Sequence, residues 1–292
     1  MSLTKIQVTT TNEAVAAVSN LLVELGAQGI QIEDQLPGDQ VVVETYVAAD
    51  VDIQPLLDRI QQALAQFADY GLDAGAATVT TQQVDDRWTT EWEHYYHAER
   101  ITRYLTVVPN WEDYQQNQRD QQLIRLDPGM AFGTGTHPTT KLALQALEMS
   151  LRGGETLFDV GTGSGVLSIG ARLLGAGAIR AFDNDPVAVA SAQQNVAANS
   201  GMQDIEVATN SLLDGILGTV DVIVANMLAE VLHALLPQVP SHLTETGQLI
   251  LSGIYADQLA GILAQLDSLK LDVQLTLAHE NWRALVVKRK GQ

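Results

Sequence analysis

The chain has 292 residues, 16 Lys and Arg against 35 Asp and Glu, a formal net charge of −19 and no cysteine. The missing cysteines exclude disulfides, thiolate zinc sites and a cysteine nucleophile, and they suit a reducing compartment. The acidity argues against a protein that grips nucleic-acid phosphates, because such contacts need clustered Lys and Arg. No apolar run approaches the roughly 20 residues of a membrane helix. We therefore expect a cytoplasmic protein without membrane contact, whose partners are small molecules or a basic protein.

The first 84 residues predict the element order β-α-β-β-α-β, which is the ferredoxin-like α+β arrangement. The predicted strands are Lys5–Thr9, Gly29–Glu33, Val41–Val47 and Ala77–Gln83. Helical spacing of apolar residues follows Thr11 and recurs over Ile53–Ala68. The segment holds 11 acidic and 2 basic side chains, a net charge of −9. Since it shows no obvious catalytic group, we interpret it as a recognition domain.

Residues 85–100 predict a helix that links two domains. Its aromatic residues would share one face, at Trp88, Trp92, Tyr95 and Tyr96. Such a stripe is typical of a packed seam between elements. His94 and His97 lie three positions apart, but no third ligand follows at a metal-binding spacing. We therefore predict no metal site.

Residues 101–292 predict a doubly wound α/β domain. Two strand-like stretches, 101–108 and 121–126, flank a polar loop and predict a hairpin. From Thr156 to Leu269 strands and helices alternate, which predicts a mostly parallel sheet. The last two strands, Asp272–Ala278 and Trp282–Lys288, are too close in sequence for a helical crossover. They predict an antiparallel hairpin at one edge of the sheet.

A glycine-rich turn follows the first strand of this alternation. From Asp159 to Gly165 the sequence reads DVGTGSG, between a strand and a helix. Glycines let the chain turn tightly and let a ligand approach the backbone, and the helix N-terminus favours negative charge. Asp183 ends the next strand, where a carboxylate can accept both ribose hydroxyls of an adenosine-type ligand. The turn and Asp183 together predict an adenosyl ligand.

Two cofactor classes use such a turn. A dinucleotide fingerprint has its third glycine at the position of Val166. Asp159 would repel a pyrophosphate but could orient a cationic amino-acid group. We therefore favour S-adenosylmethionine. An NAD(P)-dependent oxidoreductase and a non-catalytic adenosyl-binding module remain as alternatives.

Two further motifs accompany the turn. Residues 127–140 read DPGMAFGTGTHPTT, in which Pro138 fits the first position of a helix and the glycines and hydroxyls suit a loop that closes over a ligand. His137 could accept a proton, although we interpret it as packing this loop. Asn226 follows the strand Val220–Ala225, at the edge where open α/β sheets bind ligands. It can offer its amide or carbonyl to a substrate amine, or it can cap the next helix.

In these motifs the chain resembles the bacterial ribosomal protein L11 methyltransferase family. The stretch GTGTHPTT, from Gly133 to Thr140, is the most specific part of the resemblance. The resemblance implies a ferredoxin-like substrate-recognition domain over 1–84 and a linker helix over 85–100. It further implies an S-adenosylmethionine-dependent methyltransferase domain, built on a Rossmann-like sheet, over 101–292.

The resemblance also implies a site and a substrate. It places S-adenosylmethionine at Thr140, Gly161, Asp183 and Asn226, to which the turn itself adds Asp159 and Gly163. The substrate would be basic ribosomal protein L11, methylated by a monomeric enzyme on lysine amines and the α-amino group. Asn226 is the predicted catalytic residue, which positions the amine without a dedicated general base. Met227 stands where the family more commonly has a smaller branched residue, and this difference affects the fine shape of the substrate pocket.

Overall fold

In a computed structural model, the chain divides into two compact units, Met1–Tyr96 and His97–Gln292. The structure describes residues 3–11, 14–24, 31–33, 40–48, 53–67, 74–75, 77–84, 97–127 and 135–291. Most of the predicted linker helix, residues 85–96, lies outside the described residues. Its last two residues, Glu99–Arg100, form a short strand instead of a helix end. None of the helices within the described ranges is long and apolar enough to cross a membrane.

The N-terminal unit has the element order predicted from the sequence. Its elements are β1 (Leu3–Thr11), α1 (Val15–Glu24), β2 (Gln31–Glu33), β3 (Gln40–Ala48), α2 (Gln54–Gln66) and β4 (Thr78–Val84). The four strands form one sheet in the order β2-β3-β1-β4, and every neighbouring pair is antiparallel. The ferredoxin-like assignment of this unit stays a prediction.

Alternation along β1 explains how this unit builds a core. Ile6 and Val8 are fully buried and pack with Val18 of α1. Successive side chains of a strand point to opposite faces, and Lys5 accordingly forms an ion pair with Glu44 of β3 at 2.7 Å. One acid of the unit is therefore neutralised internally.

The second unit contains a small sheet and a large one. Its strands are β5 (Glu99–Arg100), β6 (Leu105–Pro109), β7 (Gln122–Leu126), β8 (Leu157–Val160), β9 (Ile179–Asp183), β10 (Ile205–Thr209), β11 (Val220–Asn226), β12 (Leu243–Tyr255), β13 (Leu271–His279) and β14 (Trp282–Arg289). Its α-helices are α3 (Pro138–Ser150), α4 (Val166–Leu173), α5 (Pro186–Ala198), α6 (Ala229–Leu235), α7 (Val239–His242) and α8 (Leu259–Ser268), with a 3₁₀ turn at Leu236–Gln238.

Seven strands form the large sheet, in the order β10-β9-β8-β11-β12-β14-β13. From β10 to β12 all neighbours are parallel, and β14 runs antiparallel to both β12 and β13. One apolar cluster packs α3 and α4 against the sheet, and a second packs α6 and α8. The doubly wound sheet and the antiparallel hairpin at its edge are thus confirmed.

The hairpin predicted over 101–108 and 121–126 is wrong. β6 and β7 pair in parallel, with Leu105 opposite Gln122, and β5 pairs antiparallel with β6. Parallel pairing requires a crossover of about a dozen residues, which the loop between these strands supplies. Gln121 is 1% exposed and donates to the Thr106 hydroxyl at 2.7 Å, which holds the end of that loop against β6.

The position of β8 creates a switch point in the large sheet. It lies between β9 and β11, so the chain first adds β9 and β10 on one side of β8 and then crosses over to add β11 and β12 on the other. In open α/β sheets, ligands bind beyond the carboxyl ends of the strands at such a point. All four residues of β8 are buried, as expected for a central parallel strand covered on both faces.

Candidate active site

Four neighbouring strands end at one edge of the large sheet and surround a cavity. Gly161 follows β8, Asp183 ends β9, Asn210 follows β10 and Asn226 ends β11. The cavity has a volume of about 400 Å³, and all four residues lie on its wall. Gly163 lines it as well. The structure therefore brings Gly161, Gly163, Asp183 and Asn226 together, as the sequence predicted.

The turn after β8 needs its alternate glycines because each of them has a positive φ. The angle is +74° at Gly161, +55° at Gly163 and +82° at Gly165, a region that residues with a Cβ seldom adopt. The amides of Gly161 and Thr162 donate to the carbonyl oxygen of Phe182 at 2.8 and 2.9 Å. These bonds fix the turn against the end of β9.

Asp183 carries a carboxylate whose two oxygens are both oriented by the backbone. Oδ2 accepts from the amide of Gly163 at 2.9 Å, and Oδ1 accepts from the amide of Asp185 at 3.1 Å. A carboxylate oxygen has about two acceptor positions. Each oxygen therefore retains one for a ligand hydroxyl, which suits the predicted contact with the ribose.

Asp159 lies behind the turn, fully buried, and is not on the cavity wall. Its Oδ2 accepts from the hydroxyls of Thr162 at 2.7 Å and Ser168 at 2.6 Å. Its Oδ1 has no hydrogen-bond partner within the described part of the chain. Burial raises the pKa of Asp159 to about 6, against the lowering effect of the two hydroxyls. At neutral pH the carboxylate is mostly ionised, so it attracts positive charge toward this end of β8.

Asn226 contacts the first turn of α3. Its Nδ2 lies 3.5 Å from Oγ1 of Thr140, a long hydrogen bond, and Thr140 is fully buried. Thr140 is not part of the cavity wall, and it contacts a wall residue only through this bond to Asn226 among the described hydrogen bonds. The alternative role of Asn226 as a helix cap is wrong. The N-cap of α6 is Leu228, and no side chain caps that helix.

His137 is the N-cap residue of α3. Its Nδ1 accepts from the amide of Thr139 at 3.3 Å, and Pro138 occupies the first turn as predicted. Burial lowers the pKa of His137, so the ring is neutral at neutral pH. Ser252 of β12 donates to the carbonyl oxygen of Thr139 at 2.8 Å. This turn is thereby anchored beside Asn226, which pairs with Ser252 in the sheet.

The sequence reasoning missed the cavity wall after β10. Besides Asn210, this wall comprises Ser211 and Leu212. Leu212 has a φ of +49°, and the side chain of Asn210 donates to its carbonyl oxygen at 3.0 Å. Strained backbone of this kind is concentrated at functional sites. The available signal was the position of these residues directly after a strand, at the edge where such sheets bind ligands.

A family model described as ribosomal protein L11 methyltransferase (PrmA) matches residues 2–290. The chain belongs to this family. The ribosomal protein L11 methyltransferase of Pediococcus pentosaceus is 45% identical over 313 residues, which cover 99% of both chains. That of Levilactobacillus brevis is 45% identical over 311 residues, which cover 99% of this chain and 98% of the relative. A crystal structure of ribosomal protein L11 methylase from Lactobacillus delbrueckii subsp. bulgaricus is 44% identical. It has a TM-score of 0.64 and covers 67% of this chain and 100% of that one.

Membership of the L11 methyltransferase family confirms the resemblance noted in the sequence. The chain is a methyltransferase, and its family uses S-adenosylmethionine. The alternatives of an NAD(P)-dependent oxidoreductase and of a non-catalytic module are therefore set aside. The Rossmann-like sheet expected of such an enzyme is confirmed. The individual roles assigned to the site residues stay predictions.

Substitution of Gly161 tests whether the methyl donor must lie close to the backbone of the turn. A Cβ at this position would lie 2.6 Å from Sδ of Met227, which also lines the cavity. We expect Gly161→Ala to push Met227 into the cavity. The affinity for S-adenosylhomocysteine, measured by calorimetry, should fall about tenfold, which corresponds to about 1.4 kcal/mol.

Gly201 provides the matched control for that substitution. Its φ is +80°, close to the +74° of Gly161, but an added Cβ would meet nothing within 4 Å. Gly201→Ala therefore carries a similar backbone strain without the collision. Gly201→Ala should leave the affinity unchanged, and equal affinities in the two variants would show that Met227 does not crowd the cavity in Gly161→Ala.

Proposed function

We propose that the chain transfers methyl groups from S-adenosylmethionine to lysine side-chain amines and the α-amino group of ribosomal protein L11, as a monomer in the cytoplasm. One observation carries the proposal: Gly161, Asp183 and Asn226 line one cavity at the switch point of the sheet, in a chain that matches the L11 methyltransferase family over residues 2–290. The relatives carry L11 in their names, which supports L11 as the acceptor here.

The residues present fit an adenosyl methyl donor. The glycine turn offers backbone without side chains at Gly161 and Gly163, and Asp183 offers a carboxylate for the ribose hydroxyls. Behind the turn, the buried Oδ1 of Asp159 has no partner among the described residues. An ionised carboxylate there favours a donor that carries positive charge. Gly161, Gly163 and Asp183 would hold S-adenosylmethionine at the cavity wall, and Asp159 would act on its positive charge from behind the turn.

The reaction needs alignment more than acid–base catalysis. S-adenosylmethionine, held by Gly161, Gly163 and Asp183, would supply an electrophilic methyl group to the amine lone pair, and its sulfur would keep the electron pair of the broken C–S bond. Holding the reactants in line can contribute roughly 7–11 kcal/mol to lowering such a barrier. Asn226, at the end of β11, would orient the amine through its side-chain oxygen or its backbone carbonyl.

The amine must lose a proton before it attacks. A lysine in water has a pKa of about 10.4, and desolvation lowers the pKa of an amine. The cavity edge supplies this desolvation, and the proton leaves to water. His137 is engaged as the cap of α3, which supports a mechanism without a dedicated general base.

The charge of the first domain supports a basic protein as the acceptor. Residues 1–84 carry 11 acidic and 2 basic side chains. A surface of one sign attracts a partner of the opposite sign and accelerates the encounter. We therefore assign substrate recognition to this segment.

The experiment is to incubate the purified chain with S-adenosylmethionine and purified ribosomal protein L11 and to weigh L11 by mass spectrometry. The expected result is a mass increase in whole methyl increments, located by peptide mapping on lysines and the N-terminus. Added salt should raise the KM for L11 more than the KM for the donor, because charge attraction is screened. An unchanged mass of L11, with S-adenosylhomocysteine still bound in calorimetry, would overturn the proposed acceptor.

A further inference from the structure

Three aromatic side chains meet at the carboxyl end of β12. We call His137, Tyr255 and Trp282 the aromatic corner. The ring centroids of Tyr255 and Trp282 are 5.2 Å apart and their planes meet at 85°. The ring of His137 lies 5.4 Å from that of Trp282, at 69°. The rings of Tyr255 and Trp282 are thus nearly perpendicular, and Tyr255 is 38% exposed.

The rings of the aromatic corner are held by the fold. Tyr255 and Trp282 are register partners of the antiparallel pair β12–β14. Asn281 donates to the hydroxyl of Tyr255 at 2.7 Å, and His137 is fixed as the cap of α3. The corner is therefore preorganised, which reduces the entropy that a ligand would lose on binding there.

The aromatic corner and Asn226 contact the same turn of α3. Asn226 bonds to Thr140, while Trp282 packs on His137. His137, the N-cap of α3, and Thr140 in its first turn are three positions apart, which is about 4.5 Å along the axis at a rise of about 1.5 Å per residue. The corner thus lies beside the residue that the proposed function assigns to the amine.

We infer that the aromatic corner binds the acceptor side chain, and in particular the methylated ammonium that forms as methyl groups are added. This inference rests on the proposed function. Faces of Trp and Tyr attract cations, and quaternary ammonium groups are recognised by aromatic cages of this kind. Each added methyl makes the ammonium larger and less hydrated, which favours contact with rings over contact with water. The corner therefore holds a partly methylated ammonium beside Asn226 between transfers, and this ammonium releases its proton to water before each further attack.

A binding experiment tests the corner without turnover. The probes are Nε-trimethyl-lysine amide and its uncharged carbon isostere, titrated by calorimetry into the chain loaded with S-adenosylhomocysteine. The wild-type chain should prefer the cationic probe by about fivefold. Trp282→Leu should remove this preference, and Trp282→Phe, which keeps a ring, should retain part of it.

A kinetic experiment follows the same variants with L11. Trp282→Leu should keep its affinity for S-adenosylhomocysteine within about twofold, raise the KM for L11 and shift the products toward lower methylation. The control is Leu263→Ala on α8, a side chain with the same 38% exposure as Tyr255. It should leave probe preference and product distribution unchanged. If Trp282→Leu lowers the melting temperature, Tyr255→Leu provides a second test of the same contact.

The outcomes separate the corner from the proposed function. Equal affinity of the wild-type chain for both probes overturns the inference. An unaltered preference in both Trp282→Leu and Tyr255→Leu, each folded, overturns it as well. If the wild-type chain prefers the cation but never methylates L11, the corner stands and the proposed acceptor is wrong.

Discussion

Replacing Asp183 by alanine should lower the affinity for S-adenosylhomocysteine about 100-fold, or about 2.7 kcal/mol. The substitution removes an ionised acceptor that can bond two ribose hydroxyls. It also removes the acceptor of the Gly163 amide, which donates a hydrogen bond to Oδ2 of Asp183 at 2.9 Å. The turn would thus lose one of its constraints together with the ligand contact. Calorimetry at constant salt measures the effect.

Asp185 is the matched control, because it is an acid two residues away whose side chain caps a helix and does not line the cavity. Its Oδ1 accepts from the amide of Val187 at 2.8 Å and caps α5. Asp185→Ala should cost about 1 kcal/mol of stability and change the affinity by less than about threefold. The affinity of Asp183→Asn should lie between those of Asp183→Ala and Asp185→Ala, since the substitution keeps the shape of the side chain and loses its charge. If Asp183→Ala binds as tightly as Asp185→Ala, the assignment of Asp183 to the ribose is wrong.

Local patterns in the sequence were sufficient to predict the large sheet. β8 is a short strand, apolar apart from Asp159, and the glycines that follow it have the positive φ angles that their type permits. Asp183 and Asn226 follow strands, and the rule that parallel strands end at one edge places them together. These features need only strand periodicity and residue type. For that reason they could be predicted from the sequence without knowledge of any tertiary contact.

Features that depend on contacts between residues distant in the chain could not be predicted from the sequence. The parallel pairing of β6 and β7 is stabilised by Gln121, whose bond to Thr106 spans 15 positions. A polar loop between two strands is equally typical of a hairpin, so the pattern alone did not distinguish them. The buried Asp159 carboxylate accepts a hydrogen bond from Ser168 in the first turn of α4, a contact that the motif itself does not reveal.

Met227 shows how such contacts decide the shape of the pocket. Gly161 faces its sulfur, and Gly253 on β12 faces its backbone, where a Cβ would lie 2.4 Å from the carbonyl oxygen. Both glycines have positive φ angles, of +74° and +83°. Gly161 therefore leaves room for the side chain at position 227, and Gly253, 26 residues away in the sequence, leaves room for its backbone. Residue size at one position could not predict this arrangement.

The largest effect on turnover is expected for Asn226→Ala. The variant removes the side chain that orients the amine and breaks the contact with Thr140. A misplacement of about 1 Å in an aligned transfer can cost about 100-fold, and we expect kcat with L11 to fall by about that factor. The affinity for S-adenosylhomocysteine should fall much less, because Gly161, Gly163 and Asp183 remain in place.

The ratio of these two losses distinguishes a positioning role from a general weakening of the site. Asn110→Ala, an exposed asparagine after β6, should change neither kcat nor affinity. Thr140→Val should reproduce a part of the loss in kcat, since it removes only the acceptor of the Asn226 amide. If kcat and donor affinity fall by the same factor in Asn226→Ala, then Asn226 acts on the donor alone. The amine must in that case be positioned by another group at the end of β11.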